Sequence, residues 1–374
     1  MHKTRIQLAW KSTAVERGHQ SGVSLHSHTL CSRESLGFIY RLAARVGFID
    51  SAIRRGQRHH GEGFNLTRGW WTPPLTPRAA WDLERNQIER AFGLPALVSL
   101  TDHDNIDAAL SLHQDDIQTG IPVSVEWTVP VAGTFVHLGV HNLPPRKAVD
   151  ALTAMQEYTS AAHGAELGDL LATLDSDPQT LIVLNHPLWD EEEVGMDRHR
   201  AAVEGLLRRH GQRIHALELN GLRPWRENML PIALAQAWGK PVVSGGDRHG
   251  LEPNAMLNLT SAADFAGFVT EVRSGHSDVL ITRQYRRSLF WRMFDAVLDA
   301  VGDHEMHGLG WKEWNQRVFY QCDDGTVRSL RQIWGNGGPR LVRGFTELAR
   351  ALHHSWLQHT LRLAMAGQRE EVTL

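Results

Sequence analysis

The stretch VSLHSHT at residues 23–29 joins a short apolar run to two histidines that are separated by one residue. On a regular strand, side chains two positions apart project to the same side, so the imidazoles of His26 and His28 can reach one metal ion. A single pair of this kind is more often a surface feature than a metal site. The pair indicates a metal site because five further stretches of the same kind occur in the chain.

Each of these five stretches places an imidazole or a carboxylate directly after an apolar run, where a strand is predicted to end. They are TDHD (101–104), VE (125–126), VHLG (136–139), LNHP (184–187) and GDRH (246–249). Histidine combined with carboxylate suits borderline divalent metals such as Zn, Mn or Fe. Several such ions in one pocket favour hydrolysis, above all of a phosphate ester.

Seven short runs rich in Val, Ile and Leu alternate with helical stretches. They cover residues 23–25, 96–100, 123–125, 134–136, 181–184, 214–219 and 241–244. Near-continuous apolar runs indicate strands covered on both faces, and their alternation with helices predicts a mainly parallel sheet. We therefore expect an α/β fold with a closed or distorted barrel, whose functional residues lie at the carboxyl ends of the strands.

The predicted helices have readable ends. Thr76 followed by Pro77 predicts the start of one helix, and Gly93 predicts its end. A capping-type serine, Ser261, predicts the start of another helix that ends before Gly275. Further helices are expected over 147–158, 201–210 and 228–238.

Two regions do not fit a minimal barrel. Residues 50–75 form a Gly- and Arg-rich insertion, in which Trp70 and Trp71 could stack on a base or anchor the loop. Residues 283–374 are expected to form a mostly helical extension, with a turn at Asp323-Asp324-Gly325. We therefore predict a barrel domain over 1–282 and a helical C-terminal extension over 283–374, which could cover the barrel or form a homo-oligomer interface.

The bulk composition narrows the class of protein. The net charge of −3 over 374 residues does not call for a polyanionic partner such as bulk DNA. Two cysteines exclude a disulfide framework. The stretch MHKTRIQLAW lacks the apolar core of a secretory signal, and no run approaches the ~18 apolar residues of a membrane span. A cytoplasmic protein without a membrane partner is expected.

The six stretches, in this order and strand context, resemble the motifs of the polymerase and histidinol phosphatase (PHP) family of metal-dependent phosphoesterases over roughly residues 20–275. The family fold is a distorted (β/α)7 barrel, in agreement with the strand count. Its members usually hold three metal ions and cleave phosphomonoesters or phosphodiesters. The resemblance therefore implies a TIM-like barrel that binds two or three divalent ions, with Zn, Mn or Fe as candidates.

The resemblance also implies which residues bind each ion. The first ion would be held by His26, His28, Glu126 and Asp247. Glu126 would bridge to a second ion, which His137 and His186 complete. His103 and His249 would hold the third.

One departure from the family pattern concerns the third ion. Members commonly carry Asp or His soon after the HxHT motif, and Arg33 stands here where Asp is expected. Glu34 could substitute after a small shift, although the residues that follow have the pattern of a helix start. Cys31 is a weaker alternative, since a small buried thiol is the simpler interpretation.

The expected mechanism is attack on phosphorus by a hydroxide that bridges the first two metals. Arg248, or less strongly Arg223, could hold the phosphate through a bidentate guanidinium, and for each a plain surface salt bridge is an equal alternative. Asp102 could orient His103, and either Asp102 or His249 could move a proton to the leaving group.

Three functions compete on this evidence. The leading one is hydrolysis of a phosphorylated small molecule, a nucleotide or a short oligonucleotide. The second is carbon–nitrogen hydrolysis of the amidohydrolase type, because metal-bearing barrels also hydrolyse amides. The third is a non-catalytic, metal-binding regulatory barrel with the C-terminal extension as its partner surface.

Overall fold

A computed structural model describes residues 3–11, 18–36, 66–114, 120–161, 164–304, 313–335, 338, 340–353 and 369–373. These residues form a mixed α/β structure with three sheets. The strands are β1 Lys3–Leu8, β2 Ser21–Ser24, β3 Glu34–Ser35, β4 Gly69–Trp71, β5 Ala96–Val98, β6 Val123–Val131, β7 Thr134–Leu143, β8 Leu181–Asn185, β9 Ala216–Asn220, β10 Val242–Gly245, β11 Met256–Thr260, β12 His276–Ile281, β13 Val318–Gln321 and β14 Val327–Ser329. The helices are α1 Pro77–Phe92, α2 Asp107–Gln114, α3 Ala148–Ser160, α4 Gly164–Asp175, α5 Met196–His210, α6 Trp225–Ala237, α7 Phe265–Arg273, α8 Leu289–Val301, α9 Leu330–Trp334 and α10 Arg340–His353.

The seven predicted strands are present as β2 and β5 to β10, but their arrangement is only partly parallel: β2 with β5, β8 with β9 and β9 with β10 pair in parallel. The first sheet has the order β1-β12-β11-β2-β5, and the second has the order β10-β9-β8-β7-β6. Strands β6, β7 and β8 pair antiparallel, as do β2 and β11. The reason at β6–β7 is local: Ala132 and Gly133 both have positive φ and connect the strands as a two-residue hairpin.

The two five-stranded sheets are separate in the described residues. They do not form the single continuous sheet of a closed barrel. Two isolated bridges, Ser27 with Arg248 and His103 with Glu126, join the first sheet to the second. Next to the first bridge, the His28 amide donates to the Arg248 carbonyl over 2.9 Å. The regular ladders stop there because His26 and Asp247 adopt left-handed backbone conformations, with φ of 34° and 50°.

The strands of the second sheet are buried on both faces, as their continuous apolar sequences predicted. Along β8, Ile182 and Leu184 pack into the largest core, whereas Leu181 and Val183 pack into a second core with α7. Both cores lie below the strand ends that carry the histidines. A rigid, water-free support therefore holds the candidate site.

The helix ends follow the predicted signals in one case and not in another. Thr76 caps α1 by accepting from the Ala79 amide, and Gly93 ends it in a left-handed conformation, which confirms that prediction. The predicted start at Ser261 is wrong: α7 begins at Phe265 with Asp264 as its cap. Ser261 instead donates its hydroxyl to Glu271, so it is not available to cap a helix.

The C-terminal extension is not only helical. Strands β13 and β14 form a hairpin, and Gly325 supplies the predicted turn with a φ of 77°. Strand β13 also pairs with β4, and β4 pairs with β3, so the third sheet has the order β14-β13-β4-β3. The prediction missed these strands because each is short and pairs with residues that are far away in sequence. The division of the chain at residue 282 stays a prediction.

The described residues leave out 50–65 of the predicted insertion and 305–312, 336–337, 339, 354–368 and 374 of the predicted extension. Within the described part of the chain, no helix combines the length and the apolarity needed to cross a bilayer.

Candidate metal centre

Four side chains from three strands converge in the first of several donor groups. Glu126 lies inside β6, so the prediction that it follows a strand end is wrong. The Nε2 atom of His26 lies 3.1 Å from Nε2 of His28 and 2.9 Å from Oε2 of Glu126. Asp247 Oδ1 lies 3.7 Å from His26 Nε2 and 3.5 Å from His28 Nε2. All four side chains are buried, so two imidazoles and two carboxylates surround one point away from bulk water.

Glu126 also contacts a second donor group through its other oxygen. Oε1 lies 3.1 Å from Nε2 of His186 and 3.5 Å from Nδ1 of His137. These two ring nitrogens are 3.4 Å apart. One carboxylate therefore faces two groups of imidazoles at the same time, one with each oxygen.

A third group includes Glu34, which replaces the acidic residue that was expected at position 33. Glu34 Oε2 lies 3.1 Å from Nε2 of His249 and 3.4 Å from Nε2 of His103, and His28 Nδ1 lies 3.5 Å from Glu34 Oε1. Glu34 begins β3, and the residues beyond Leu36, where a helix start was predicted, lie outside the described residues. Arg33 points elsewhere, with its guanidinium 5.3 Å from the centre of the Trp70 ring.

The third group is the one that solvent reaches. The side chains of His103 and His249 are each 19% exposed, whereas those of His26 and His28 are at most 1% exposed. His103 also lies between groups, with its Nδ1 3.5 Å from Glu126 Oε2. All nine predicted ligands thus lie in one continuous cluster, and their assignment to metal ions stays a prediction. They are His26, His28, Glu34, His103, Glu126, His137, His186, Asp247 and His249.

Hydrogen bonds behind the cluster set the orientation of its side chains. His26 donates from Nδ1 to Oε1 of Glu218 over 2.5 Å, which turns its Nε2 toward Glu126. His249 donates from Nδ1 to the Asp247 carbonyl over 2.9 Å, which turns its Nε2 toward Glu34. A partner on one ring nitrogen fixes the tautomer and presents the other nitrogen as a ligand.

The carboxylates are held in the same way. Asn185 donates from Nδ2 to Oε1 of Glu126, and Asn220 donates from Nδ2 to Oδ2 of Asp247, each over 2.9 Å. Each bond occupies one lone pair and leaves the second oxygen directed at the first group. Glu218, Asn185 and Asn220 were not predicted as site residues. A polar residue inside an otherwise apolar strand, as in the β9 sequence ALELN, was the available signal.

The backbone of three candidate ligands is strained. His26, His186 and Asp247 have φ values of 34°, 26° and 50°, in the left-handed region that disfavours residues with a side chain. Such a conformation costs about 1–3 kcal/mol and is found mainly at functional sites. This strain also means that His26 and His28 converge through a turn after β2 and not through the regular strand that the sequence predicted.

Burial and mutual charge divide the cluster into charged and neutral groups. Burial opposes ionisation of Glu126, but the neighbouring His26, His103 and His137 hold its pKa well below the usual value. Burial also opposes protonation of His26, yet Glu126 and Glu218 raise its pKa well above the ordinary value. For His28 and His137 burial dominates and lowers the pKa to about 4, so these rings are neutral at pH 7 and keep a free lone pair.

Arg248, the stronger of the two predicted phosphate ligands, contacts a buried carboxylate, and its role in phosphate binding stays a prediction. Its side chain is 4% exposed and donates from Nε to Glu84, whose side chain is fully buried. Its Nη1 donates to the Gly250 carbonyl over 2.7 Å. Ser24, Ser27 and Asn254 also donate to Glu84. The guanidinium is therefore part of a buried network. It supplies the positive charge beside the Glu84 carboxylate on α1.

Asp102 contacts Thr29, and its predicted roles in orienting His103 and in proton transfer stay predictions. Both of its oxygens accept hydrogen bonds from Thr29, one from the amide over 2.6 Å and one from the hydroxyl over 2.7 Å. Burial raises its pKa to about 7 against the effect of these bonds. The proton-transfer role of His249 also stays a prediction, and both of its ring nitrogens are engaged within the cluster.

Arg223, the weaker of the two predicted phosphate ligands, lies beside the cluster. Its guanidinium carbon is 3.3 Å from the centre of the Trp189 ring. The Trp189 ring is in turn 5.0 Å from the ring of His186. Trp189 and His186 line a small surface pocket together with Phe135, Asn185 and Glu191. A cation is thus held close to the second donor group.

Comparison with known proteins gives limited information. No protein-family model matches the chain, and no curated protein matches it. An amidohydrolase structure from Chromobacterium violaceum, with bound sulfate and no metal, is 16% identical with a TM-score of 0.35 and covers 61% of this chain and 87% of that chain. A protein from Bifidobacterium adolescentis, provisionally described as a metal-dependent phosphoesterase, is 13% identical with a TM-score of 0.34 and covers 63% and 90%. At this level of likeness, neither activity is transferred to this chain.

Proposed function

We propose that this protein is a metal-dependent phosphoesterase of the PHP type. The observation that carries the proposal is the carboxylate of Glu126, whose two oxygens face two separate groups of imidazoles. A carboxylate in this position can hold two divalent ions close together. Paired ions of this kind are typical of enzymes that hydrolyse phosphate esters.

The spacing of the donor atoms supports the proposal that the first group binds a metal. Four tetrahedral ligands at about 2.1 Å from a zinc ion lie about 3.4 Å from one another. Five of the six distances among the donor atoms of His26, His28, Glu126 and Asp247 run from 2.9 to 3.7 Å. Nitrogen and carboxylate donors without thiolate fit Zn, Mn or Fe. The number of ions and their identity are part of the proposal.

Divalent ions bound there would supply the charge that activates water and neutralises phosphate oxygens. The residues of the chain orient the donors and keep water out. Glu218 holds His26 from behind, and Asn185 and Asn220 hold the two carboxylates. Since all of these side chains are buried, little reorganisation is needed when substrate arrives.

Arg223 is the best candidate for binding the phosphate outside the metal centre. A guanidinium pairs with phosphate through two parallel hydrogen bonds, and Trp189 restricts where this guanidinium lies. The half-buried Trp71, whose ring centre is 6.0 Å from that of His249, borders the solvent-facing third group. An aromatic side chain there supports nucleotides and short oligonucleotides, besides small phosphomonoesters, as candidate substrates.

The test is release of phosphate from phosphomonoesters, nucleoside bisphosphates and short 5′-phosphorylated oligonucleotides, with protein loaded with Mn or Zn. Amide substrates are assayed in parallel. We expect turnover of at least one phosphate class and a loss of about 10³-fold in Glu126→Gln, which corresponds to several kcal/mol of charge stabilisation. His113→Gln is the control, because His113 is exposed and lies outside the cluster.

Other results would favour the competing functions. Hydrolysis of amides alone would assign the centre to carbon–nitrogen chemistry. Bound metal without turnover of either class would favour a regulatory barrel. Unchanged phosphate release in Glu126→Gln would contradict the proposed site.

A further inference from the structure

The third donor group depends on a sheet assembled from three distant parts of the chain. Glu34 lies on β3 opposite Trp71 on β4, and Trp71 lies opposite Val318 on β13. One carboxylate oxygen of Glu34 faces His103 and His249. The candidate ligand is therefore two strands away from the C-terminal extension.

Strands β3 and β4 cannot hold this position alone. They have two and three residues, and a two-stranded ribbon of this length is at best marginally stable in water. Strand β13 supplies the third strand. The Trp70 ring stacks on Phe319 with centroids 5.9 Å apart, and the Thr72 amide donates to the Arg317 carbonyl over 2.9 Å.

A second contact from the extension fixes the loop that carries His249. Asp299, near the end of α8, accepts a hydrogen bond from the Leu251 amide over 2.7 Å. The packing is close, since a Cβ added at Gly250 would lie 2.6 Å from Asp299 Oδ2. Leu251 is two residues beyond His249, so a shift of α8 would move that histidine.

The two contacts are connected through a buried arginine. The Arg317 side chain, 1% exposed, donates from Nη2 to the carbonyls of Ala300 and Gly302 over 2.9 and 2.8 Å. Its own backbone carbonyl holds Thr72, next to β4. The end of α8 and the β13 strand thus move as one unit, which contacts both sides of the third group.

We propose that this unit of the C-terminal extension, Leu298–Gly302 with Arg317–Gln321, is a clamp that sets the metal affinity of the third group. The clamp rests on the proposed function, because it takes the donor groups to be metal sites. The donors of the first two groups lie on β6 and β7 and just after β2, β8 and β10, and not on the extension. Loosening the clamp therefore weakens the third site and spares the other two.

The experiment measures bound Mn per chain by equilibrium dialysis and elemental analysis over a range of free Mn concentrations. Two variants loosen different contacts: Asp299→Ala removes the acceptor of the Leu251 amide, and Phe319→Ala removes the stack on Trp70. Asp299→Asn is the matched control, since its amide oxygen can still accept. Circular dichroism melting of each variant reports whether the fold is kept.

We expect three ions in the wild-type protein and in Asp299→Asn. In Asp299→Ala and Phe319→Ala, we expect affinity for one ion to fall at least tenfold while two ions remain bound as before. Unchanged affinity for all three ions in the folded variants would overturn the clamp, as would a parallel loss of all three. If one variant does not fold, the other decides.

The wild-type result separates the two proposals. A protein that binds no Mn or Zn at all would refute the proposed function. A protein that binds two ions and no third would overturn the clamp and leave the phosphoesterase proposal in place.

Discussion

Glu218 lies behind His26, with its Oε1 2.5 Å from Nδ1 of the imidazole. Its second oxygen, Oε2, accepts the backbone amide of His186 over 2.8 Å. One buried carboxylate therefore orients a histidine of the first donor group and fixes the backbone of a histidine of the second. Both oxygens of Glu218 accept hydrogen bonds, although neither is one of the donor atoms of the cluster.

Removing this carboxylate should weaken metal binding without removing a ligand. We expect Glu218→Ala to lower Zn affinity about 10–100-fold, the usual effect of losing the partner of a ligand histidine. Glu218→Gln should lie between Ala and wild type, because its amide has one oxygen for two donors. Competition with a chromogenic chelator measures the affinities. Equal affinity in all three proteins would contradict the positioning role.

Gly245 gives an independent way to disturb the same carboxylate. A Cβ at this position would overlap the Glu218 carboxylate, so a methyl group must displace it. We expect Gly245→Ala to reduce Zn affinity by about as much as Glu218→Ala, at least tenfold. The double variant should be no worse than either single variant, because both act through one group. Additive losses would show that Gly245 acts by another route.

The buried pair of Arg248 and Glu84 predicts a loss of stability and not only of activity. Replacing Arg248 by Met leaves Glu84 buried without its cation, which should cost about 3–5 kcal/mol of unfolding free energy. The double variant with Glu84→Gln should recover part of this loss. Urea unfolding measures both, with Arg226→Met on the exposed surface as control. A loss below about 1 kcal/mol would favour Arg248 as a substrate ligand.

For Arg223 we expect a loss of activity with little loss of stability. We expect Arg223→Met to lower kcat/KM for phosphate esters about 10–100-fold, and Arg223→Lys to lower it less, since lysine keeps the charge but not the bidentate geometry. The melting temperature should change little, because the contact with Trp189 is a cation–π interaction of about 1 kcal/mol and the 3.8 Å ion pair with Glu227 is partly exposed to solvent. Unchanged kcat/KM in the Met variant, measured beside Arg226→Met, would exclude Arg223 from phosphate binding.

His215, away from the cluster, predicts a pH dependence of stability. Its Nδ1 accepts the Ile182 amide and its Nε2 donates to Asp175, which requires a neutral ring. Burial, with Arg273 nearby, lowers its pKa to about 4. The unfolded chain takes up this proton near pH 6.5, so the contribution is complete above pH 6.5 and is lost as the pH falls toward 4.

The expected loss is on the order of 3 kcal/mol over this range. His215→Asn keeps an acceptor for Ile182 but cannot titrate. Urea unfolding of both proteins in EDTA between pH 7 and pH 4 isolates the effect, since all other histidines are shared. Parallel pH profiles would show that His215 is not the cause.

Much of the fold and the donor set was predictable, because the signals are local. Thr76, Pro77 and Gly93 mark the ends of α1, because the backbone preference of each residue favours a helix start or a helix end. The apolar runs before His26, His103 and His186 mark strand ends whatever the strands pair with, whereas His137 lies inside β7. The antiparallel pairing of β6, β7 and β8 was missed because an apolar run has the same appearance in either direction.

Contacts between distant residues were not predictable in this way. Arg248 and Glu84 are 164 positions apart, and nothing near either residue shows that the two desolvate each other. The pairing of β13 with β4 joins residues about 250 positions apart and depends on where α8 packs. An arginine that follows a predicted ligand has the same local sequence whether its guanidinium faces substrate or a buried carboxylate.

The sequence by itself determined which donors are available and that most of them follow strands, because strand periodicity, turn residues and ligand chemistry are properties of short segments. Only the tertiary structure decided which groups meet. It places Glu126 between two groups of imidazoles, Glu34 beside His249, and Arg248 against Glu84. Those outcomes follow from burial. In a space without water each charge takes the partner that packing brings within reach, and packing is a property of the whole chain.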